Sequence, residues 1–192
     1  MLDSPLTKAD LRAEALGRRA AMPAEARREA SLLAADRLRP LLRPGETVSL
    51  FWPMRDEIDP RSLIDDVHAL GGRIAMPVVA KRRMFFRAFD GEHSLEPGVF
   101  GTHHPHSGQP VVDPDLIIAP LAAFDRRGGR VGYGAGHYDK ALADLAARGK
   151  PFRLAGIAFA CQEVAAVPAE AHDVPLPVIA TERELIRTGA AA

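Results

Sequence analysis

A glycine-rich stretch between a strand-like and a helix-like segment places the strongest constraint on how this chain can fold. Residues 115–120 (DLIIAP) are apolar on both faces and predict a short central strand, whereas the residues from His137 onward have helix-forming composition. The connection contains GGRVGYGAG at residues 128–136. A strand that leads through such a loop into a helix predicts an α/β sheet with a ligand at the carboxyl end of the strand.

The connection has the properties of an anion-binding loop. Glycines let the backbone take positive φ and approach a ligand, and the free N–H groups of the helix's first turn attract negative charge. Arg130, with Arg126 and Arg127 upstream, adds charge suited to phosphate oxygens, and Asp139 is placed to hold Mg²⁺ beside a polyphosphate. The spacing matches neither the P-loop nor the dinucleotide fingerprint. A plain glycine-rich connection remains the alternative, and the arginine and aspartate favour the phosphate site.

The composition favours one compact protein that acts on a small molecule. With 192 residues, 47% of them hydrophobic, we expect a single domain over 1–192 and a frayed tail at 189–192. Basic and acidic residues number 25 each, which disfavours nucleic acid as a partner. The single cysteine, Cys161, is interpreted as a small buried hydrophobe rather than a nucleophile. A charged N-terminal segment and the lack of a long apolar run predict a cytoplasmic protein without membrane contact, and we expect a monomer.

Alternating strand and helix patterns extend the α/β prediction along the chain. We expect Leu32, Leu33 and Leu38 to pack the second helix against the sheet. Helices are predicted over residues 8–21, 23–42 and 60–70, further strands over 47–52, 73–79, 84–89 and 152–160, and a loop over 95–106.

Residues 119–140, APLAAFDRRGGRVGYGAGHYDK, resemble the signature of the 5-formyltetrahydrofolate cyclo-ligase family, also called methenyltetrahydrofolate synthetase. The resemblance implies a Rossmann-like three-layer αβα sandwich with a largely parallel sheet. It also implies ATP- and Mg²⁺-dependent cyclisation of 5-formyltetrahydrofolate to 5,10-methenyltetrahydrofolate, with release of ADP and phosphate. Other residues that match the family pattern extend over nearly the whole chain: Lys8, Leu11, Arg12, Arg19, Glu57, Gln162, Pro168, Glu170, His172, Asp173, Ile179, Thr181 and Glu182.

The resemblance implies roles for individual residues. Arg130 and Asp139 are expected to act in catalysis, and Asp139 and Asp173 to hold Mg²⁺. ATP is expected to bind residues from both ends of the chain: Lys8, Arg12, Arg130, Val131, Gly132, Tyr133, Gly134, Ala135, Gly136, His137 and Tyr138. The folate is expected to bind two separate segments: Trp52, Met54, Glu57, Tyr133, Gly134, Ala135, Gly136 and His137.

Residue chemistry alone leaves two of these assignments open. Lys8, Arg12 and Arg19 share one face of the predicted N-terminal helix, which is either solvated or in contact with phosphates. We expect the helix to fold back so that Lys8 and Arg12 meet ATP, with Arg19 less important. Glu57 follows a strand end, where it can either accept from the N–H groups of a pterin or cap the helix after Pro60.

The chain departs from the family pattern at three positions: His104 replaces a common Glu, His137 a Tyr and Lys140 an Arg. We interpret the histidines within residues 103–106 as loop residues rather than metal ligands, because the sequence contains no second set of candidate ligands elsewhere.

Two further hypotheses about function stay open. One is a non-catalytic protein that binds reduced folate or nucleotide, and the other is an ATP-dependent enzyme of the same fold that acts on another small acid. The presence of both predicted metal carboxylates favours catalysis.

Overall fold

The computed structural model describes residues 6–81, 83–98, 101–170 and 173–190. The helices in these residues are α1 (Lys8–Ala20), α2 (Ala24–Leu38), α3 (Leu63–Ala69) and α4 (His137–Ala147), with 3-10 turns at Arg39–Leu41, Glu92–Ser94 and Ala160–Gln162. The strands are β1 (Thr47–Ser49), β2 (Arg73–Ala80), β3 (Arg83–Phe89), β4 (Leu95–Pro97), β5 (His103–Pro105), β6 (Leu116–Pro120), β7 (Ala123–Phe124), β8 (Arg130–Val131), β9 (Arg153–Ile157), β10 (Val178–Ala180) and β11 (Leu185–Arg187).

A largely parallel sheet forms the centre of the fold, as predicted. In the described residues it has seven strands in the order β11-β10-β9-β6-β1-β2-β3. Strands β10, β9, β6, β1 and β2 run parallel, whereas β3 and β11 lie antiparallel at the two edges. Because parallel strands end at the same edge of a sheet, the segments that follow β1, β6, β9 and β10 lie side by side there.

Helices cover both faces of this sheet and complete the predicted three-layer αβα arrangement. On one face, Leu38 of α2 and Leu63 of α3 pack with Val48. On the other face, Leu142 of α4 packs with Ile117. Successive strand residues point to opposite faces, so one apolar strand such as β6 supplies both cores. No helix in the part of the chain that the structure describes has the length and apolar character needed to cross a membrane.

The packing of α2 differs from the prediction. Leu38 is fully buried, but Leu32 and Leu33 are 60% and 53% exposed. The buried stripe instead contains Ala30 and Ala34, which precede Leu38 at four-residue spacing. Small residues let the helix axis lie close to the sheet, so the prediction from leucine positions was wrong for two of the three.

Several boundaries and one loop also differ from the prediction. Helix α3 begins at Leu63 rather than at residue 60, and β9 ends at Ile157 rather than at residue 160. The first strand ends at Ser49 rather than at residue 52, although the N–H of Leu50 still donates to the carbonyl of Ala75 in β2 at 3.0 Å. The second helix ends at Leu38 and continues as a 3-10 turn. The predicted loop over 95–106 contains the antiparallel pair β4 and β5, and the N–H of Gly98 donates to the carbonyl of Thr102 at 2.8 Å. Pro97 and Pro105 lie within these strands, so the prolines do not mark an open loop as predicted.

Candidate active site

The glycine-rich connection is divided into a hairpin and an exposed loop. Strands β7 and β8 pair antiparallel, with residues 125–129 as their turn, so the first glycines close a hairpin rather than forming part of the loop. Residues 132–135 are exposed and lead into α4. Gly134 has φ of 103° and Gly136, directly before the helix, has φ of 61°. These left-handed conformations favour glycine, and they give the loop its sharp entry into the helix.

Asp125 organises the turn of this hairpin, a role that the sequence analysis missed. The side chain is buried, with Oδ1 accepting from the N–H groups of Arg127 and Gly129 at 2.9 Å each. Oδ2 accepts from the N–H of Val167 at 2.8 Å. An aspartate followed by glycines within four residues is a typical turn signal and would have indicated this contact. Burial raises the pKa of Asp125, but the hydrogen bonds from Val167, Gly129 and Arg127 outweigh burial and lower the pKa below its ordinary value.

Asp125→Asn should destabilise the protein by about 2 to 3 kcal/mol, because the new amide places a donor against backbone donors. For a chain of this size the melting temperature should fall by roughly 4 to 12 °C, measured by thermal unfolding. The native carboxylate stabilises the fold above its unfolded pKa of about 3.9, and this contribution is lost as pH falls through the lower folded-state pKa. The variant should therefore lose less stability than the native protein on acidification below about pH 4. Equal acid sensitivity would contradict this role.

Helix α1 lies against the hairpin. Leu11 and Ala15 pack with Ala123 and Val131 in a small apolar cluster. The Nε of Arg12 donates to the carbonyl of Gly132 at 2.6 Å. The N-terminal helix therefore covers the glycine loop, with one of its two predicted phosphate-binding cations on the loop itself.

Lys8 contacts the C-terminal part of the chain. Its Nζ lies 2.7 and 2.9 Å from the two carboxylate oxygens of Asp173 and 3.0 Å from Glu170. Burial lowers the pKa of Lys8, but the hydrogen bonds to Asp173 and Glu170 outweigh it and raise the pKa above its ordinary value. Helix α1 thus contacts the glycine loop, as expected, through Arg12. Lys8 instead forms an ion pair with Asp173, one of the two predicted metal ligands.

Arg130 joins the other predicted metal ligand to the same region. Its guanidinium forms an ion pair with Asp139 in the first turn of α4, and its Nη1 donates to the carbonyl of Val174 at 2.8 Å. Val174 follows Asp173 directly, so Arg130 links the first turn of α4 to the backbone next to Asp173. Arg126 and Arg127, expected to add charge to the loop, instead pair with carboxylates around the hairpin, Arg126 with Glu163 and Glu184 and Arg127 with Asp125.

The donor set at Asp139 and Asp173 suits Mg²⁺. Among the residues described, no group of three or more His, Cys, Asp and Glu side chains is close enough to hold a metal ion. Two carboxylates are nevertheless what Mg²⁺ needs when nucleotide phosphates and water supply its other oxygens. Each of these carboxylates is paired with a cation, Asp173 with Lys8 and Asp139 with Arg130. His103 and His104 lie in β5 and His106 follows it, so two of the three histidines are in a strand rather than in the predicted loop.

Glu57 lies in the turn that follows β1, and it is buried, with 8% of its surface exposed. One carboxylate oxygen accepts from the N–H of Met54 at 3.0 Å, and the other accepts from the hydroxyl of Tyr133 on the glycine loop. Helix α3 begins only at Leu63, so these contacts contradict the capping alternative for Glu57. Burial raises the pKa of Glu57, while the Tyr133 and Met54 hydrogen bonds oppose the shift.

Trp52 is half-buried beside a shallow depression of about 380 Å³ that Phe89 also lines. The guanidinium of Arg61 lies 4.5 Å from the centre of the Trp52 ring, and the ring of Phe89 packs at 6.2 Å. One face of the indole is thus already covered by a cation. Met54 is half-buried between Trp52 and Glu57 along the chain.

The remaining predicted residues fall on the loop and the start of α4. Val131 is buried in the hairpin, His137 is the first residue of the helix and half-buried, and Lys140 is exposed. The Tyr138 hydroxyl is buried and has no hydrogen-bond partner among the described residues. Burial raises the pKa of Tyr138, and the charge of Glu57 adds to the shift. His172, a match to the family pattern, lies outside the described residues.

Gln162 fixes the strand ends around the site. It is buried, and its amide nitrogen donates to the carbonyls of Leu121 and Ala122 at 2.6 and 2.9 Å. Its amide oxygen accepts from the N–H of Phe159 at 3.0 Å. The side chain therefore ties the end of β9 to the start of the hairpin. Cys161 beside it is half-buried, with its sulfur 3.5 Å from that of Met22, which agrees with a packing role.

Arg19 is the second residue whose importance the sequence analysis missed. It was expected to matter less than Lys8 and Arg12, yet its side chain is only 7% exposed. Its guanidinium contacts Tyr133 and Asp56 at 2.8 Å each. Its seven-residue spacing from Arg12 indicated the shared helix face, but nothing local indicated these partners.

Comparisons with known proteins identify the family of this chain. The sequence profile described as the 5-formyltetrahydrofolate cyclo-ligase family matches residues 6–182. The 5-formyltetrahydrofolate cyclo-ligase of Escherichia coli strain K12 is 31% identical over 173 residues, covering 85% of this chain and 94% of that protein. The protein of the same name from Haemophilus influenzae is 29% identical over 141 residues, covering 70% of this chain and 74% of its own. The solved structure of Aquifex aeolicus 5,10-methenyltetrahydrofolate synthetase has a TM-score of 0.78 and 27% identity, covering 97% of this chain and 95% of that one.

The profile match extends from α1 to the segment after β10, so it includes each of the elements that meet around the glycine loop. The fold of the Aquifex aeolicus protein agrees over nearly the full length of both chains. This chain therefore belongs to the 5-formyltetrahydrofolate cyclo-ligase family.

Proposed function

We propose that the protein catalyses the ATP- and Mg²⁺-dependent cyclisation of 5-formyltetrahydrofolate to 5,10-methenyltetrahydrofolate, with release of ADP and phosphate. The observation that carries this proposal is the hydrogen bond from Tyr133 to Glu57. It joins the loop suited to phosphates to the buried carboxylate suited to a pterin, which supports a shared site for both substrates at one edge of the sheet. Family membership supplies the class of reaction.

The reaction explains why the site needs a nucleotide. A formamide oxygen is a poor leaving group, so transfer of the γ-phosphoryl group of ATP to that oxygen makes the formyl carbon electrophilic. The folate N10 then attacks this carbon, loses its proton and expels phosphate, which closes the ring. Phosphoryl transfer requires alignment and charge neutralisation more than acid-base groups, and the site is rich in cations and loop N–H groups.

The phosphates are proposed to lie between the glycine loop and α1. The proposed phosphate contacts are the backbone N–H groups of Gly132, Gly134, Ala135, Gly136 and His137 together with the cations Lys8, Arg12 and Arg130. Asp139 and Asp173 would hold Mg²⁺, which when bound supplies positive charge to the transferring phosphoryl group. Val131 is buried and Tyr138 is half-buried, and each packs in an apolar cluster at one end of the loop.

The pterin ring is proposed to bind at Glu57. A carboxylate can accept from two adjacent N–H donors, and a pterin presents such a pair at N3 and the 2-amino group. Trp52 and Met54 offer apolar surface for the flat ring, and Tyr133 with its neighbours closes the site from the loop side. The formyl group then faces the loop on which the phosphates lie.

The experiment that tests the proposal is a spectrophotometric assay of the purified protein with Mg-ATP and 5-formyltetrahydrofolate. Formation of the methenyl chromophore together with ADP is the expected result. Binding of folate without the chromophore would favour the non-catalytic binding protein. ATP consumption only with a different small acid would favour the third hypothesis.

Lys8→Ala and Arg12→Ala should each raise the ATP KM roughly tenfold or more, because a charge-assisted phosphate contact contributes about 1.5 to 3 kcal/mol. Steady-state kinetics at saturating folate measure this, and thermal unfolding without ligand should change little. Arg28→Ala is the matched control, since that arginine is exposed on α2 and pairs only locally with Glu25 among the described residues. An ATP KM that stays within twofold in both variants contradicts the role of α1 in ATP binding.

A further inference from the structure

Arg19 makes contacts that the proposed reaction does not explain. Its Nη1 donates to the Tyr133 hydroxyl and its Nη2 to Asp56, each at 2.8 Å. Its Nε is buried and has no hydrogen-bond partner in the described part of the chain. Removing a guanidinium from water costs free energy that only specific contacts offset. The role of Arg19 therefore follows from its contacts with Tyr133 and Asp56 rather than from interaction with solvent.

The chemistry of the donors determines the direction of this chain of hydrogen bonds. A guanidinium only donates, so the Tyr133 oxygen accepts from Arg19. A phenol has one proton, and the carboxylate of Glu57 is the partner that accepts it. The second oxygen of Glu57 accepts from the N–H of Met54. Glu57 is thus held by one contact on each oxygen, and each oxygen keeps a lone pair for a ligand.

The same contacts control the charge of Glu57. Burial raises its pKa, and the Tyr133 hydrogen bond and the positive charge of Arg19 act in the opposite direction. The other charged or titratable groups that act on it are Asp56, whose charge raises the pKa, and the buried Tyr138 hydroxyl. Arg19 is the cation that hydrogen-bonds Asp56, with Arg27 also acting on that carboxylate, so loss of Arg19 would leave Glu57 buried beside a second carboxylate without its hydrogen-bonded partner.

We propose that Arg19 is a positioning residue for the folate: by fixing Tyr133 as a donor to Glu57, it holds Glu57 as an oriented carboxylate ready to accept from the two adjacent N–H groups of a pterin. This inference rests on the proposed function. Arg19 touches neither substrate. It acts through Tyr133, and it links α1, which contacts the phosphate loop through Arg12, to the folate end of the site.

The test is calorimetric titration of 5-formyltetrahydrofolate into the native protein, Arg19→Met and Tyr133→Phe between about pH 5 and 8. Both variants should weaken binding about tenfold near neutral pH, the loss expected for one charge-assisted contact. In both, the pH below which binding weakens should move upward, because protonated Glu57 no longer accepts at both oxygens. The matched control is Arg18→Met, since Arg18 is next in α1 and donates to the carbonyls of Cys161 and Glu163. This control should bind folate as the native protein does.

A double-variant comparison separates positioning from support of the fold. In a Glu57→Gln background, adding Arg19→Met should cause no further loss of folate affinity, because both changes act on the same acceptor. A lower melting temperature in Arg19→Met with unchanged folate affinity and pH profile would contradict the inference. If Arg19→Met does not fold, an unchanged affinity and pH profile in Tyr133→Phe contradicts it equally. If the native protein binds no folate, the proposed function and this inference are both wrong. If the native protein binds folate and turns it over, and neither variant changes folate affinity, only the inference is contradicted.

Discussion

Asp139→Asn and Asp173→Asn should each lower turnover on the order of 10²-fold or more while leaving folate affinity close to that of the native protein. The physical reason is that a metal ligand acts on the transferring phosphoryl group, whereas the folate contacts proposed for Glu57 are made to N3 and the 2-amino group rather than to the formyl group. Both carboxylates also neutralise cations of the site, Asp139 pairing with Arg130 and Asp173 with Lys8. The measurements are the rate of methenyl formation at saturating substrates, the Mg²⁺ concentration for half-maximal rate, and the folate dissociation constant.

The matched control is Asp144→Asn. Asp144 lies on the same helix as Asp139 and also pairs with arginine, since Arg148 contacts it at 3.1 Å, but it is on the outer surface. This variant should keep native turnover. Near-native turnover in Asp139→Asn or Asp173→Asn at ordinary Mg²⁺ would remove that residue from the proposed metal site.

Glu57→Gln should weaken folate binding by about 1 to 3 kcal/mol, roughly five- to 150-fold, while ATP affinity stays nearly unchanged. The amide keeps one acceptor oxygen and replaces the other with an NH2 group. This group is a donor, so it opposes whichever donor faces it: the N–H of Met54, the Tyr133 hydroxyl or an N–H group of the pterin. Separate titrations with folate and with ATP measure the two affinities. The loss should be specific to folate, because among the described contacts Glu57 touches the glycine loop only through the Tyr133 hydroxyl.

Glu46→Gln provides a control for removing a partly buried carboxylate elsewhere. Glu46 precedes β1, at the opposite end of that strand from Glu57, and pairs with Arg153. Its loss should lower thermal stability without changing folate affinity. An equal loss of ATP and folate affinity in Glu57→Gln would show that Glu57 supports the fold rather than binding the ring.

Much of the fold was predictable because its signals are local. The apolar run at 115–120 predicted β6, and β2 and β3 were found within one residue of the expected bounds. The predictions that failed depended on what each segment packs against. Leu32 and Leu33 have the same side chain as the buried Leu38, and only the approach of α2 to the sheet through Ala30 and Ala34 decides which leucine is covered.

The residues proposed for the site were recognisable as types before their contacts were known. Glycines before a helix, an arginine beside them and an aspartate in the first turn indicate a phosphate site from spacing alone. Asp125 and Arg19 were missed as site residues for different reasons. The turn made by Asp125 is local and had a signal, whereas the partners of Arg19 lie on two other segments of the chain.

By itself, the sequence determined the α/β class, the glycine loop ahead of α4 and the residue types available for phosphate, metal and pterin, because periodicity and turn chemistry act over a few residues. The tertiary structure alone decided which of these residues meet. Lys8 reaches Asp173 across 165 residues, and Tyr133 reaches Glu57 across 76. Such contacts depend on how parallel strand ends align at one edge of the sheet and how α1 packs over them, and no local pattern in the chain specifies that arrangement.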